Sequence, residues 1–169
     1  MKIYKFRKYD KSFPTLFNHE KKMIENVILK NSQIEHVGST SVPKMRGKGV
    51  IDLIIYSPKN KTIEIKSDLE KLGYEEGSVD KDRIFLKREY KIKNKTRRFH
   101  THIISNKKLW NSAIVFRNFL INNKKVFDRY EKLKEKAIIA CNNDGKIYRK
   151  LKNGFIKKQI KIALSKSWI

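Results

Sequence analysis

Apolar residues recur in the first third of the chain with two different periods, and each period points to a type of element. Phe13, Leu16, Phe17, Met23, Ile24, Val27 and Ile28 fall at three- and four-residue intervals with polar residues between them, which predicts an amphipathic helix over Phe13–Lys30. Ser12 is placed to cap it, and Pro14 suits its first turn. Ile34–Val37 is short and ends at Gly38, as a strand entering a tight turn does. Val50–Tyr56 is nearly continuously apolar and rich in Ile, the pattern of a strand buried on both faces.

Past Pro58 the period lengthens again. Thr62–Leu72 has helical spacing through Ile65, Leu69 and Leu72, and Gly73 stops it. Arg83–Tyr90 and Phe99–Ile104 read as two strands of a hairpin, separated by a basic stretch of Lys91, Lys93, Lys95, Arg97 and Arg98. From Leu109 onward the pattern predicts two helices, one facing inward with Trp110, Ala113, Phe116 and Phe119, the next with Val126, Tyr130, Leu133, Ala137 and Cys141. Tyr148, Leu151, Phe155, Gln159 and Ala163 predict a last helix, weakened by Gly154. The expected class is α+β: a mixed sheet flanked by helices, followed by C-terminal helices.

Length, charge and cysteine count narrow this picture. One compact domain over residues 1–169 is expected, large enough to bury a core. The single Cys141 excludes an internal disulfide and is read as a small buried hydrophobe. No apolar run approaches the length of a bilayer span, so a soluble, cytoplasmic protein without a membrane partner is expected. Lys and Arg number 41 against 17 Asp and Glu, a formal charge of +24 that attracts polyanions. AT-rich coding bias would explain abundant Lys, Asn and Ile, but not so few carboxylates. After Arg97 the acids are Asp128, Glu131, Glu135 and Asp144 alone, which makes the C-terminal half the polyanion-facing half. The expected partners are a nucleotide or another phosphate-bearing small molecule, and nucleic acid across the basic surface. The oligomeric state is left open.

The candidate chemistry lies between residues 34 and 55. Glycine at Gly38 lets the backbone approach phosphate oxygens, and Ser39, Thr40 and Ser41 supply hydroxyl and amide donors. Asp52 stands on an apolar strand, where a carboxylate wants a metal or a cation. Val37-Gly38-Ser39, a dozen residues, then Asp52-Leu53 is similar to the nucleotidyltransferase pattern, except that Ile54 occupies the position of the second acid. Glu35, Glu89 or a histidine would have to replace that acid. His100 and His102 alternate on one strand and so share a face, and His36 precedes the glycine turn. If His36, Asp52, His100 and His102 converge, they could hold one divalent metal: magnesium, manganese or zinc. Asp52, His100 and His102 are then the candidate catalytic residues. Arg83, Lys87 and Arg98, on or beside the same strands, are candidates for neutralising phosphate, although each also fits a solvated role. Arg117 interrupts an apolar helix and needs an anionic partner: Asp52, a bound phosphate, Asp128 or Glu131.

Longer stretches carry a family likeness. EHVGSTSVP (35–43), KGVIDLII (48–55), RRFHTHI (97–103), FRNFL (116–120) and GFIKK (154–158) resemble GrpB proteins over nearly the whole chain. That resemblance implies a nucleotidyltransferase-superfamily fold, and GrpB domains are sometimes fused to dephospho-CoA kinase. It implies a fold more than an activity. The chain departs from the family at Lys44, Arg46 and Gly49, where small residues and a Lys-Pro pair are more usual. These changes add positive charge beside the phosphate turn. Two functional readings follow: a nucleotide-dependent transferase, or a nucleic-acid-binding module of the same fold that lost its chemistry.

Overall fold

The computed structural model describes residues 5–28 and 32–165. Five strands, β1 (Gln33–Val37), β2 (Val50–Tyr56), β3 (Glu75–Asp80), β4 (Arg83–Ile92) and β5 (Lys95–Ile104), form one mixed sheet in the order β1-β2-β5-β4-β3. Only the central β2–β5 pair is parallel, and every other neighbouring pair is antiparallel. Helix α1 (Phe13–Glu25) precedes the strands and α2 (Thr62–Lys71) lies between β2 and β3, whereas α3 (Lys107–Asn122), α4 (Lys124–Ala140) and α5 (Gly145–Ser165) follow the last strand.

The near-continuous apolar run of β2 is explained by cover on both faces. Ile51, Leu53 and Ile55 join Phe99 and Ile103 of β5 in the main core, with Phe13 and Ile24 of α1 and Ile65 and Leu69 of α2. The alternate residues face the other way, and there Ile54 packs with Val37, Ile104 and Trp110 of α3. A third cluster joins the helices, with Val115 and Phe119 of α3, Val126 and Tyr130 of α4 and Ala163 of α5 gathered around Val42 and Met45.

The elements follow the apolar periods closely, with instructive differences. α1 closes at Glu25; Val27 and Ile28 lie beyond it, and Leu29 and Lys30 fall outside the described residues. Ser12 makes no side-chain cap; its amide and hydroxyl both donate to Asp10. The basic stretch expected to separate two strands is itself strand. β4 and β5 continue to Ile92 and Lys95, and the turn is the Lys93–Asn94 pair, both with positive φ, which matches the twist of a hairpin. β3 carries no apolar alternation and is exposed along its whole length, as a charged edge strand can be. α5 runs through Gly154 without a break, and Cys141 is buried and free.

One buried acid ties α1 to the sheet. Glu20 is fully buried; it accepts hydrogen bonds from Tyr74 (2.7 Å) and Tyr90 (2.6 Å) and pairs with Arg88 (3.0 Å). Burial, with Glu20 beside them, pushes both phenols above their ordinary pKa. Removing the acid would leave a largely buried guanidinium without its partner. Glu20→Ala is therefore expected to lower the unfolding free energy by about 3 kcal/mol in urea denaturation, the usual scale for breaking a buried pair.

Candidate phosphate-binding cleft

The register of three strands builds the centre of the site. Val37 pairs with Asp52 across β1–β2, and Asp52 pairs with His100 across β2–β5, so all three side chains share the face that looks toward the C-terminal helices. Gly38 follows immediately, with φ 74° and ψ −170°, a region that side chains other than hydrogen essentially never enter. Space forbids a side chain there as well, because a Cβ on Gly38 would collide with the Asp52 carboxylate. Ser39 opens a single 3-10 turn, and its hydroxyl lies 2.5 Å from where a Cβ on Gly47 would stand. Two glycines thus bring two loops and the carboxylate into contact.

Around this centre lies a cavity of about 550 Å³ lined by Gly38, Ser39, Asp52, Arg83, Phe85, His100 and His102 from the sheet side. Its other wall is Tyr130 and Lys134 of α4 and Lys146, Tyr148, Arg149 and Lys152 of α5, with Lys48 from the preceding loop. Among the described residues that line it, Asp52 is the sole carboxylate, set against Lys48, Arg83, Lys134, Lys146, Arg149 and Lys152. The two helices present their lysines in the same way. Lys134 lies over the ring of Tyr130 at 5.1 Å, and Lys152 over that of Tyr148 at 4.2 Å, each pair spaced i,i+4 on its helix.

Electrostatics in the cleft follow from burial without matching acids. Lys134 is 1% exposed and donates to the Arg46 carbonyl. Burial, joined by the charges of Lys152 and Arg46 and opposed by Glu131, brings its pKa down to about 7. Burial likewise brings Lys152 to about 8, against the attraction of Asp52 and together with the repulsion of Lys48 and Arg149. Burial is the largest influence on Asp52 and acts upward. The contact from His100, 3.6 Å from Nδ1 to Oδ1, and the charge of Lys152 outweigh it and hold the carboxyl below its ordinary value. His102 stacks on Phe85 at 5.0 Å, and burial drops its pKa to about 4, leaving a neutral imidazole. Its buried Nδ1 makes no hydrogen bond among the described residues.

Of the residues the sequence singled out, Gly38, Ser39, Asp52, Arg83, His100 and His102 line the cleft. The others do not. His36 pairs with Leu53 rather than Asp52, so it points through the opposite face, where it stacks on Phe17 at 4.6 Å and shares a hydrogen bond with buried Thr40. Thr40 in turn donates to the Val50 carbonyl, and Ser41 donates to the Gly38 carbonyl; both hydroxyls serve the turn itself. Arg98 bonds the Lys48 carbonyl and lines a separate groove with Arg7, Lys8, Lys95 and Arg97. Arg83 also pairs with Asp80, and Lys87 with Glu75. Arg117 takes neither Asp52, Asp128 nor Glu131; it binds Glu35 at 2.6 Å and the His36 carbonyl at 2.8 Å. Arg46 pairs with Glu131 and Glu135 of α4 rather than adding charge to the turn.

These placements bear on the expected four-ligand metal site. His36 is on the wrong face, Glu35 is held by Arg117, Glu89 lines the Arg98 groove, and Ile54 is buried with Trp110. No group of three or more His, Cys, Asp or Glu side chains suited to a metal occurs among the described residues. A resident magnesium or manganese ion does not fit this donor set, because one carboxylate already answered by His100 and lysine offers too few anionic oxygens, and Asp52, His100 and His102 are not gathered into the three-ligand set that zinc needs. Of the residues that do surround the carboxylate, Tyr130 and Tyr148 stand at helix positions that the sequence assigns to packing, and Lys134 and Lys152 are not among the candidates it singles out. Their signal was the repeated Tyr-x-x-x-Lys spacing on two successive helices in a segment poor in acids.

Comparison with known proteins agrees with this architecture. The family profile described as GrpB protein matches residues 4–161. The glutamate-rich protein GrpB of Alkalihalophilus pseudofirmus is 27% identical over 155 residues, 88% of each chain. A UPF0157 protein of Halalkalibacterium halodurans is 45% identical over 69 residues, which span 39% of this chain and 35% of that protein's length. The crystal structure of the conserved protein GrpB from Enterococcus faecalis superposes with a TM-score of 0.81 at 28% identity, covering 98% of this chain and all of that one. The Cid1 poly(U) polymerase, solved also with MgATP, shares the nucleotidyltransferase fold at 17% identity and a TM-score of 0.52, with 77% of this chain matching 45% of that one. The first relative is named for glutamate, whereas here basic residues outnumber acidic ones 41 to 17.

The buried lysine gives a pH test. The unfolded chain keeps a lysine protonated to about pH 10.4, while folded Lys134 releases its proton near pH 7. Between those values the unfolded state binds more protons, so this residue's penalty on folding shrinks as pH rises. Lys134→Met is expected to exceed the wild type in unfolding free energy by about 1 kcal/mol or more at pH 7. The gap should close toward pH 10 when urea midpoints are compared.

Proposed function

The chain belongs to the GrpB family, and we propose that its cleft binds the phosphate groups of a nucleotide or a similar polyphosphate-bearing small molecule. The observation that carries this reading is Lys134 together with Lys152: two helix lysines turned inward, over aromatic rings, into a cavity with one carboxylate. Holding ammonium groups out of water without an acid apiece is unfavourable, and an anionic ligand reverses that cost. The Gly38–Ser39 turn supplies the close approach on the opposite wall. A nucleotidyltransferase fold, and a Cid1 relative of that fold solved with MgATP, support a nucleotide as the anion. Asp52, ionised beside His100 and next to neutral His102, is in this reading the acceptor for the proton of a bound hydroxyl.

A second reading has its own observation. The groove of about 510 Å³ lined by Arg7, Lys8, Lys95, Arg97 and Arg98 holds two acids, Asp10 and Glu89, and adjoins the cleft through the Lys48–Gly49 loop. A nucleic-acid strand bound there would answer the overall +24 charge. Calorimetry separates the two. ATP affinity is expected to fall about tenfold or more in Lys152→Ala, the scale of one charge-assisted bond, and to stay unchanged in Arg7→Ala combined with Arg98→Ala. The reverse pattern, with a salt slope for labelled oligonucleotide that shrinks in the double variant, would favour the strand-binding reading. ATP binding insensitive to Lys152 would overturn the first.

A further inference from the structure

We propose that the cleft takes its polyphosphate free of divalent metal, with the Lys48, Lys134 and Lys152 ammonium groups standing where a nucleotide-borne ion would otherwise sit. The inference rests on the cleft being a polyphosphate site and adds the charge state of the ligand.

The first ground is how the fold spends its carboxylates. A magnesium ion brought in on a nucleotide is held against a protein by carboxylates that complete its oxygen shell. Beside Asp52, three acids of the neighbouring strand and helix are committed elsewhere. Glu35 is bonded to Arg117 at 2.6 Å, and Glu131 and Glu135 are bonded to Arg46 at 3.2 Å. The fourth, Asp52, stands 3.6 Å from His100. The neighbouring position that could have pointed a second carboxylate into the cleft is Ile54, 2% exposed and packed with Trp110, where an acid would sit in an apolar cluster.

The second ground is how the cations are held. Lys48 and Lys152 lie over the same Tyr148 ring, at 4.3 and 4.2 Å. Two like charges sharing one ring repel each other, and a bridging phosphate removes that repulsion. Lys134 approaches from α4 with its Nζ 3.7 Å from where a Cβ on Gly47 would stand, and so reaches the loop that contacts Ser39. Three ammonium groups from three segments therefore converge on the space between the glycine turn and α5, an arrangement suited to several phosphate oxygens at once. Magnesium bound to ATP cancels two of the ligand's negative charges. In a cleft with this excess of cations, that loss weakens binding where in a carboxylate-lined site it would strengthen it.

The experiment is calorimetric titration of the full chain with ATP, and separately with inorganic tripolyphosphate, in EDTA and in excess magnesium at matched ionic strength. Both ligands are expected to bind about fivefold or more tightly in EDTA, the factor for one unit charge at contact distance in water. Lys152→Gln and Lys48→Gln, each checked for an unchanged thermal midpoint, are expected to shrink that ratio toward one. Binding that requires magnesium, or is tighter with it, would overturn the metal-free proposal and leave the polyphosphate site standing. No binding in either buffer would remove the polyphosphate reading itself.

Discussion

The pairing of Asp52 with His100 across two parallel strands is the contact on which the site depends. It fixes which face of the sheet carries the cleft, because a shift of one residue would turn Asp52 into the core beside α1 and bring Leu53 out. It also fixes Gly38, since the same carboxylate occupies the space a side chain would need there. The turn that holds Ser39, the neutral stack of His102 on Phe85 and the lysines of α4 and α5 are all arranged around that one negative charge.

The rest of the molecule shows acids being withdrawn from this centre. Arg117 takes Glu35, Arg46 takes Glu131 and Glu135, and Arg88 takes Glu20 on the far side of the sheet. The loop of residues 42–49 is anchored to α4 by the Arg46 pairs and by Lys134, so the helix that supplies a cleft lysine also positions the loop opposite it. Structure and charge are linked here: the ion pairs that dock α3 and α4 also leave the cleft positive.

Much of the fold was legible because burial imposes a period. Val50–Tyr56 appears in the sequence with its observed boundaries, since both of its faces are covered. β3 was not legible, because an exposed edge strand whose one large apolar residue is Val79 has no apolar face to display. In the site, Gly38 and Asp52 could be read from type and spacing, but His36 could not be assigned correctly. Its face is set by pairing with Leu53, a fact of register rather than of composition. The role of Ile54 is equally tertiary: it is apolar because Trp110, more than fifty residues later, packs with it. Tyr130, Lys134, Tyr148 and Lys152 were visible as residues but not as a wall, since two helices must fold back over the sheet before their lysines meet Asp52.

The most direct test of the account is a crystal structure of the chain grown with a nonhydrolysable ATP analogue in the presence of EDTA. Phosphate density is expected between the Gly38–Ser39 turn and the Nζ atoms of Lys134 and Lys152, with Lys48 in contact. Phosphates lodged instead in the Arg7–Arg98 groove, with the cleft lysines untouched, would contradict it.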